Sequence, residues 1–174
     1  MPNPFSFPAS REWRVPASNI LTNRRDREET RVTAVPERLL IFLDFDGVLR
    51  RKNAPLYRFE KPLRLAFEAA VRRIPGAEIV ITSTWREVAG LTDLRKLFSR
   101  DIAERMVGVT PIVEGGRYGE ILTYLRATGA EGSRFIVVDD DPQSFPRGVP
   151  LLLIDPRRGF DTEEAEKLVE MAED

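Results

Sequence analysis

Asp44 and Asp46 stand two residues apart, directly after an apolar run and directly before a glycine, in the stretch LLIFLDFDGVL. On an extended backbone two such carboxylates point to the same side, and Gly47 permits a sharp turn straight afterwards. A second apolar run, FIVV, ends in Asp139, Asp140 and Asp141 before Pro142. If the two runs are neighbouring strands, up to five carboxylates converge in one crevice. Like-charge repulsion forbids this unless some are protonated or a cation neutralises them. With no His and no Cys in the chain, every available ligand is oxygen. Mg²⁺ is the natural cation for such a set, and it typically keeps waters and takes substrate phosphate as a further ligand.

Two further stretches point to phosphate. Thr82-Ser83-Thr84-Trp85-Arg86 follows the apolar run EIVI and offers hydroxyls and N–H groups at a helix or loop start, where phosphate oxygens are commonly held. Ser83, Arg86 and Gly47 are accordingly expected to bind substrate. Arg117 lies in the glycine-rich EGGRYGE ahead of a helical pattern, placed to neutralise phosphoryl oxygens. The lack of His and Cys also excludes Ser-His and Cys-His nucleophile pairs and the usual zinc sites.

The elements that must carry these residues follow from periodicity. Parallel strands are predicted at 39–43, 78–82, 135–138 and 151–154, with a weaker one at 106–109. Leu63, Ala66, Phe67, Ala70, Val71 and Ile74 mark a helix after Pro62. Leu91 through Ile102 suggests a second, Ile121 to Leu125 a third ending before Gly129, and Ala165 to Ala172 a fourth opened by Asp161 with Glu164 in a capping-box-like pattern. Strands alternating with helices imply an α/β, doubly wound, mostly parallel sheet with helices on both faces. Open sheets of this kind bind ligands beyond the carboxyl ends of their strands, where the acids, hydroxyls and Arg117 fall.

The 174 residues, 42% apolar and 32% charged with a net charge of −1, suit one soluble domain without a strong general pull towards nucleic acid. Residues 1–36 hold five of the thirteen prolines and read as a leader outside the core, either loosely ordered or a strap. Residues 37–174 are then the domain. No apolar signal segment opens the chain and no run approaches a membrane span, so cytoplasmic residence is expected. The acidic tail reads as a solvated helix face.

In order, these motifs resemble the haloacid dehalogenase-like (HAD) superfamily of aspartate-nucleophile phosphohydrolases. The resemblance implies that Asp44 is the nucleophile, forming an aspartyl-phosphate, and that Asp46 is the acid/base. It matches Thr82 to the superfamily's hydroxyl residue, with Ser83 as the alternative, and Arg117 to a position that is usually Lys. Asp139 and Asp140 match the acidic pair, with Asp140 as a direct Mg²⁺ ligand, and the resemblance implies Asp44, Asp46, Asp139 and Asp140 as the residues around the ion. LDFDGVL, TSTWRE, GRYGEIL and VVDDDP are also similar to small bacterial and phage HAD domains, including those of Swiss army knife RNA-repair proteins. The gaps 47–78 and 86–116 are each about thirty residues and already hold helix or strand material, which implies a capless member with an open cleft.

The resemblance therefore implies a Mg²⁺-dependent phosphatase acting on phosphomonoesters, of small molecules or of nucleic-acid ends. A phosphotransferase or mutase with the same nucleophile, and a non-catalytic binding module, are the alternatives. A receiver-type domain would carry its acid pair and phosphoacceptor on different strands, and a DxDG on one strand argues against it. Arg50, Arg51, Lys52, Arg58 and Arg86 form a basic rim in one reading and are solvated charges in the other. Tyr57 and Trp85 either stack on a base or pack in the core.

Overall fold

The computed structural model describes residues 38–55 and 57–174; the expected leader lies outside them. Five parallel strands form one sheet in the order β3-β2-β1-β4-β5. They are β1 (Leu39–Leu43), β2 (Ala77–Ile81), β3 (Met106–Val109), β4 (Arg134–Asp139) and β5 (Leu151–Leu153). β1 is central and every one of its residues is buried, as an unbroken LLIFL run requires when helices cover both faces. Its alternation divides the core. Leu39, Ile41 and Leu43 join one cluster with Phe67, Val71, Leu168 and Val169, while Leu40 and Phe42 join another with Ile121, Tyr124 and Leu125.

Five helices supply those faces: α1 (Lys61–Arg73), α2 (Leu91–Arg95), α3 (Arg100–Ala103), α4 (Gly116–Ala127) and α5 (Thr162–Glu173). α1 and α5 pack beside each other on the first face, with Phe67 and Phe160 edge to face at 5.4 Å, and α4 covers the second. α5 opens as expected, with the Asp161 carboxylate accepting from the N–H groups of Glu163 and Glu164. The Leu91 to Ile102 pattern corrects the reading of one helix: it breaks into α2 and α3. The break spans Lys96–Ser99, and Ser99, the N-cap of α3, donates its N–H and Oγ–H to Glu68 on α1 at 2.8 and 2.6 Å. A side-chain acceptor from another element thus fixes the start of α3, a tertiary effect that local periodicity does not encode.

The 1–4 adjacency on which the acid cluster depends is present. β1 pairs with β4 in register, Leu43 opposite Val138, so Asp44 and Asp139 emerge side by side at the carboxyl end of the sheet. Neither connection after β1 or β2 contains a further sheet among the described residues. No helix among them is long and apolar enough to cross a membrane.

Candidate active site

Asp44, Asp139 and Asp140 bring one carboxylate oxygen each to within 4.8 Å of the others. Asp44 and Asp139 are 4% and 0% exposed, because Asp44 follows the fully buried β1 and Asp139 ends the buried half of β4. Asp140 is held close by the turn at Gly47, whose φ of +81° is open to glycine. A Cβ there would lie 2.3 Å from the Asp140 carboxylate, so any other residue would both strain the turn and displace an acid.

Arg117 faces this group from the first turn of α4. One guanidinium nitrogen lies 2.9 Å from Asp44 and 2.5 Å from Asp139. A cation at a helix N-terminus opposes the helix dipole, and the two acids offset that cost. Burial disfavours the charged guanidinium, but Asp44 and Asp139 outweigh it and hold the proton more firmly than in water. Burial, with the neighbouring Asp44 charge, pushes the Asp139 carboxyl up to about 6 despite Arg117. The same two causes raise Asp140, opposed by Lys52 and Arg117. One arginine therefore does not neutralise the cluster.

Asp46, also expected to ligate metal, keeps its carboxylate outside the three-acid group. Instead it accepts from Arg50 Nε at 2.7 Å and from the Trp85 indole N–H at 2.9 Å. Its side chain is 39% exposed, so it is held in place yet open to solvent. Asp141 also turns away, accepting from Gln143 N–H and Ser144 Oγ–H to cap a tight turn.

Thr82 and Ser83 are fully buried at the end of β2. Ser83 Oγ accepts from Trp85 N–H, which starts the turn that aims the indole at Asp46. The Thr82 hydroxyl makes no hydrogen bond among the described residues, and an orphaned buried hydroxyl beside a charged site asks for a ligand. Arg86, expected to bind substrate, is engaged within the protein. Its side chain is 3% exposed and pairs with Glu120 at 2.7 Å, while its remaining donors reach the carbonyls of Thr82, Ser83 and Thr110. It fixes the loop after β2 against α4, and so fixes Arg117 indirectly. The basic rim shrinks further, because Arg50 is 5% exposed and Arg51 is engaged by Glu60 and the Arg158 carbonyl.

Sequence reasoning missed Glu120 as the partner of Arg86 and Arg50 as the clamp on Asp46. The i, i+4 spacing of Asp46 and Arg50 carried the second signal; nothing local carried the first.

The donor chemistry fits a hard divalent cation. Three carboxylates in reach of each other, two of them raised by burial and the Asp44 charge, form an all-oxygen site that a cation would neutralise. Asp44, Asp139 and Asp140 are the residues that would hold it.

A parallel α/β sheet with acids gathered beyond its central strands is the Rossmann-like arrangement of the HAD superfamily. The family model "HAD domain in Swiss Army Knife RNA repair proteins" matches residues 40–165, and the chain belongs to that family. HAD domains are generally hydrolases. A search of curated proteins returns no match.

Proposed function

We propose that this chain is a Mg²⁺-dependent phosphatase that removes phosphate from monoesters through a covalent intermediate on Asp44, and that its substrates include nucleic-acid ends. The observation that carries the proposal is the convergence of Asp44 with Asp139, Asp140 and Arg117 at the carboxyl end of β1 and β4. The words of the family description support the nucleic-acid part. A bound divalent cation would neutralise the acid cluster and polarise the phosphoryl oxygens.

The residues of the chain supply the remaining chemistry. Asp44 attacks phosphorus as the ester P–O bond breaks, and Asp46 gives its proton to the leaving oxygen. Asp46 then takes a proton from water as that water attacks the phosphorus of the acyl phosphate, which returns the Asp44 carboxylate and releases inorganic phosphate. Arg117 and the unpartnered Thr82 hydroxyl bind the phosphoryl oxygens in flight. Since loose phosphoryl transfer depends mainly on position and charge, no histidine is needed. Trp85 and Arg50 hold the Asp46 carboxylate in one orientation. The open cleft leaves water exclusion to the substrate itself.

The test is phosphate release from p-nitrophenyl phosphate, nucleotides, and oligonucleotides phosphorylated at either end, with Mg²⁺ or EDTA. Release that requires Mg²⁺ and disappears in Asp44→Asn is the expected result. Release unaffected by EDTA or by that substitution would overturn the proposal.

A further inference from the structure

A groove of about 480 Å³ opens between the loop after β1, the start of α1 and the turn joining α2 to α3. Its charged lining residues are all basic: Arg58, Lys61, Arg64 and Lys96. Arg64 and Lys96 already pair with Glu68 and Asp93. Among the described residues Arg58 and Lys61 are exposed and have no ion-pair partner. Lys61 opens α1 directly after Glu60 at the N-cap, whose carboxylate is taken up by Arg51 and so leaves the lysine unpaired.

Aromatic rings run from this groove to the site. Phe59, which lines the groove, stacks on Trp85 at 5.2 Å and 21°, and the Trp85 indole N–H donates to Asp46. Tyr57 leans on the other part of Trp85, at 5.2 Å and 57°. It is 63% exposed and holds a φ of +55°, a left-handed conformation that bulky residues rarely adopt and that tends to occur at ligand clamps. An exposed ring kept in an unfavourable backbone state, flanked by free cations, combines the two contacts that a flexible single strand needs: a π-face for a base and positive charge for the backbone.

We infer that this groove is a binding track for single-stranded nucleic acid, gripping the chain next to a terminal phosphate presented to Asp44. Bases stack on Tyr57, and Arg58 and Lys61 meet backbone phosphates. An acidic peptide would engage the cations but leave the Tyr57 face without a counterpart. The inference builds on the phosphatase reading for its direction of travel, yet the track can be tested without catalysis.

The experiment uses the full chain and an internally labelled single-stranded oligonucleotide with hydroxyls at both ends, followed by fluorescence anisotropy in EDTA over a salt series. This probe has no phosphomonoester, so its binding does not depend on chemistry at Asp44. The parent should bind with an affinity that falls as salt rises. The Arg58→Ala/Lys61→Ala variant should lower the slope of log K against log salt by about 1.4, at about 0.7 per phosphate contact. Tyr57→Ala should weaken binding about 10-fold with the slope kept, and Tyr57→Phe should restore it. The track is overturned if the parent shows no salt-sensitive binding, or if these variants, folded by circular dichroism, bind as the parent does. It is equally overturned if a poly-glutamate peptide of matched charge displaces the probe as well as unlabelled oligonucleotide. Expected binding without phosphate release from any phosphorylated substrate would defeat the phosphatase reading and leave the track standing; release without binding would do the reverse.

Discussion

Glu68 and Asp139 are both carboxylates with fully buried side chains, and the protein treats them in opposite ways. Around Glu68 the donors suffice: Ser99 gives two hydrogen bonds and Arg64 a third at 2.6 Å. Burial alone would push its carboxyl up, but Ser99 and Arg64 outweigh burial and hold it below the ordinary value. Around Asp139 they do not suffice, and its carboxyl rises to about 6 through burial and the Asp44 charge. A buried charge that is fully partnered joins α1 to the start of α3 and serves the fold. One that is left partly unpartnered beside a second acid is a cost to the fold, and such costs gather at functional sites.

The sharpest way to break this contrast is catalytic. Asp46→Asn should reduce phosphate release by about 10²- to 10⁴-fold, the usual contribution of a general acid–base, with the fold retained by circular dichroism; near-parent turnover would deny Asp46 its role. Next comes the fold. Glu68→Ala should cost about 2–3 kcal/mol, because it leaves two Ser99 donors and the Arg64 guanidinium unpaired, as read by urea denaturation. Asp139→Asn should act in the opposite direction. In EDTA it should raise the urea midpoint, since it removes a buried charge that burial and Asp44 disfavour, while abolishing phosphate release. Loss of stability in that variant would mean that the cluster is a structural network like that of Glu68.

Metal sharpens the same line. Mg²⁺ at 100 times its dissociation constant should stabilise the parent by about 2.7 kcal/mol, and Asp140→Asn should lose most of that shift. An equal shift in both would place the ion elsewhere. The smallest effect is in pH. A carboxyl held below its ordinary value contributes stability that is fully present above the unfolded value and is lost as pH falls through the folded one. Glu68 should therefore add to the acid lability of the parent below about pH 4.5, taking 4.5 as its ordinary value, and Glu68→Gln should flatten that part of the profile. An unchanged profile would show that Glu68 is not held down by its partners.

Much of this was readable in the sequence because the information was local. LLIFL, EIVI and FIVV are continuous apolar runs, and burial on both faces is what such runs require. Because acids, hydroxyls and glycine stand at their ends, the place of the site followed from the class of sheet. What the sequence hid was partnership across distance. Arg86 reads the same whether solvated or buried, and only the fold brings Glu120 within 2.7 Å of it. The DxD spacing placed Asp46 near Asp44, but the pull of Arg50 and Trp85 on its carboxylate takes it out of the cluster. The apolar pattern runs on through Leu97 and Phe98, although α2 ends at Arg95 and α3 starts only after Ser99, which Glu68 holds.

The central claim, that Asp44 is the group these surroundings equip for covalent chemistry, is tested most directly by trapping. The full chain would be mixed with a ³²P-labelled phosphomonoester and Mg²⁺, quenched in acid within its first turnover and peptide-mapped. Label on the peptide bearing Asp44, absent from Asp44→Asn and accumulating in Asp46→Asn for substrates with good leaving groups, is the predicted result. Phosphate release that proceeds with no label on Asp44 at any time would contradict it.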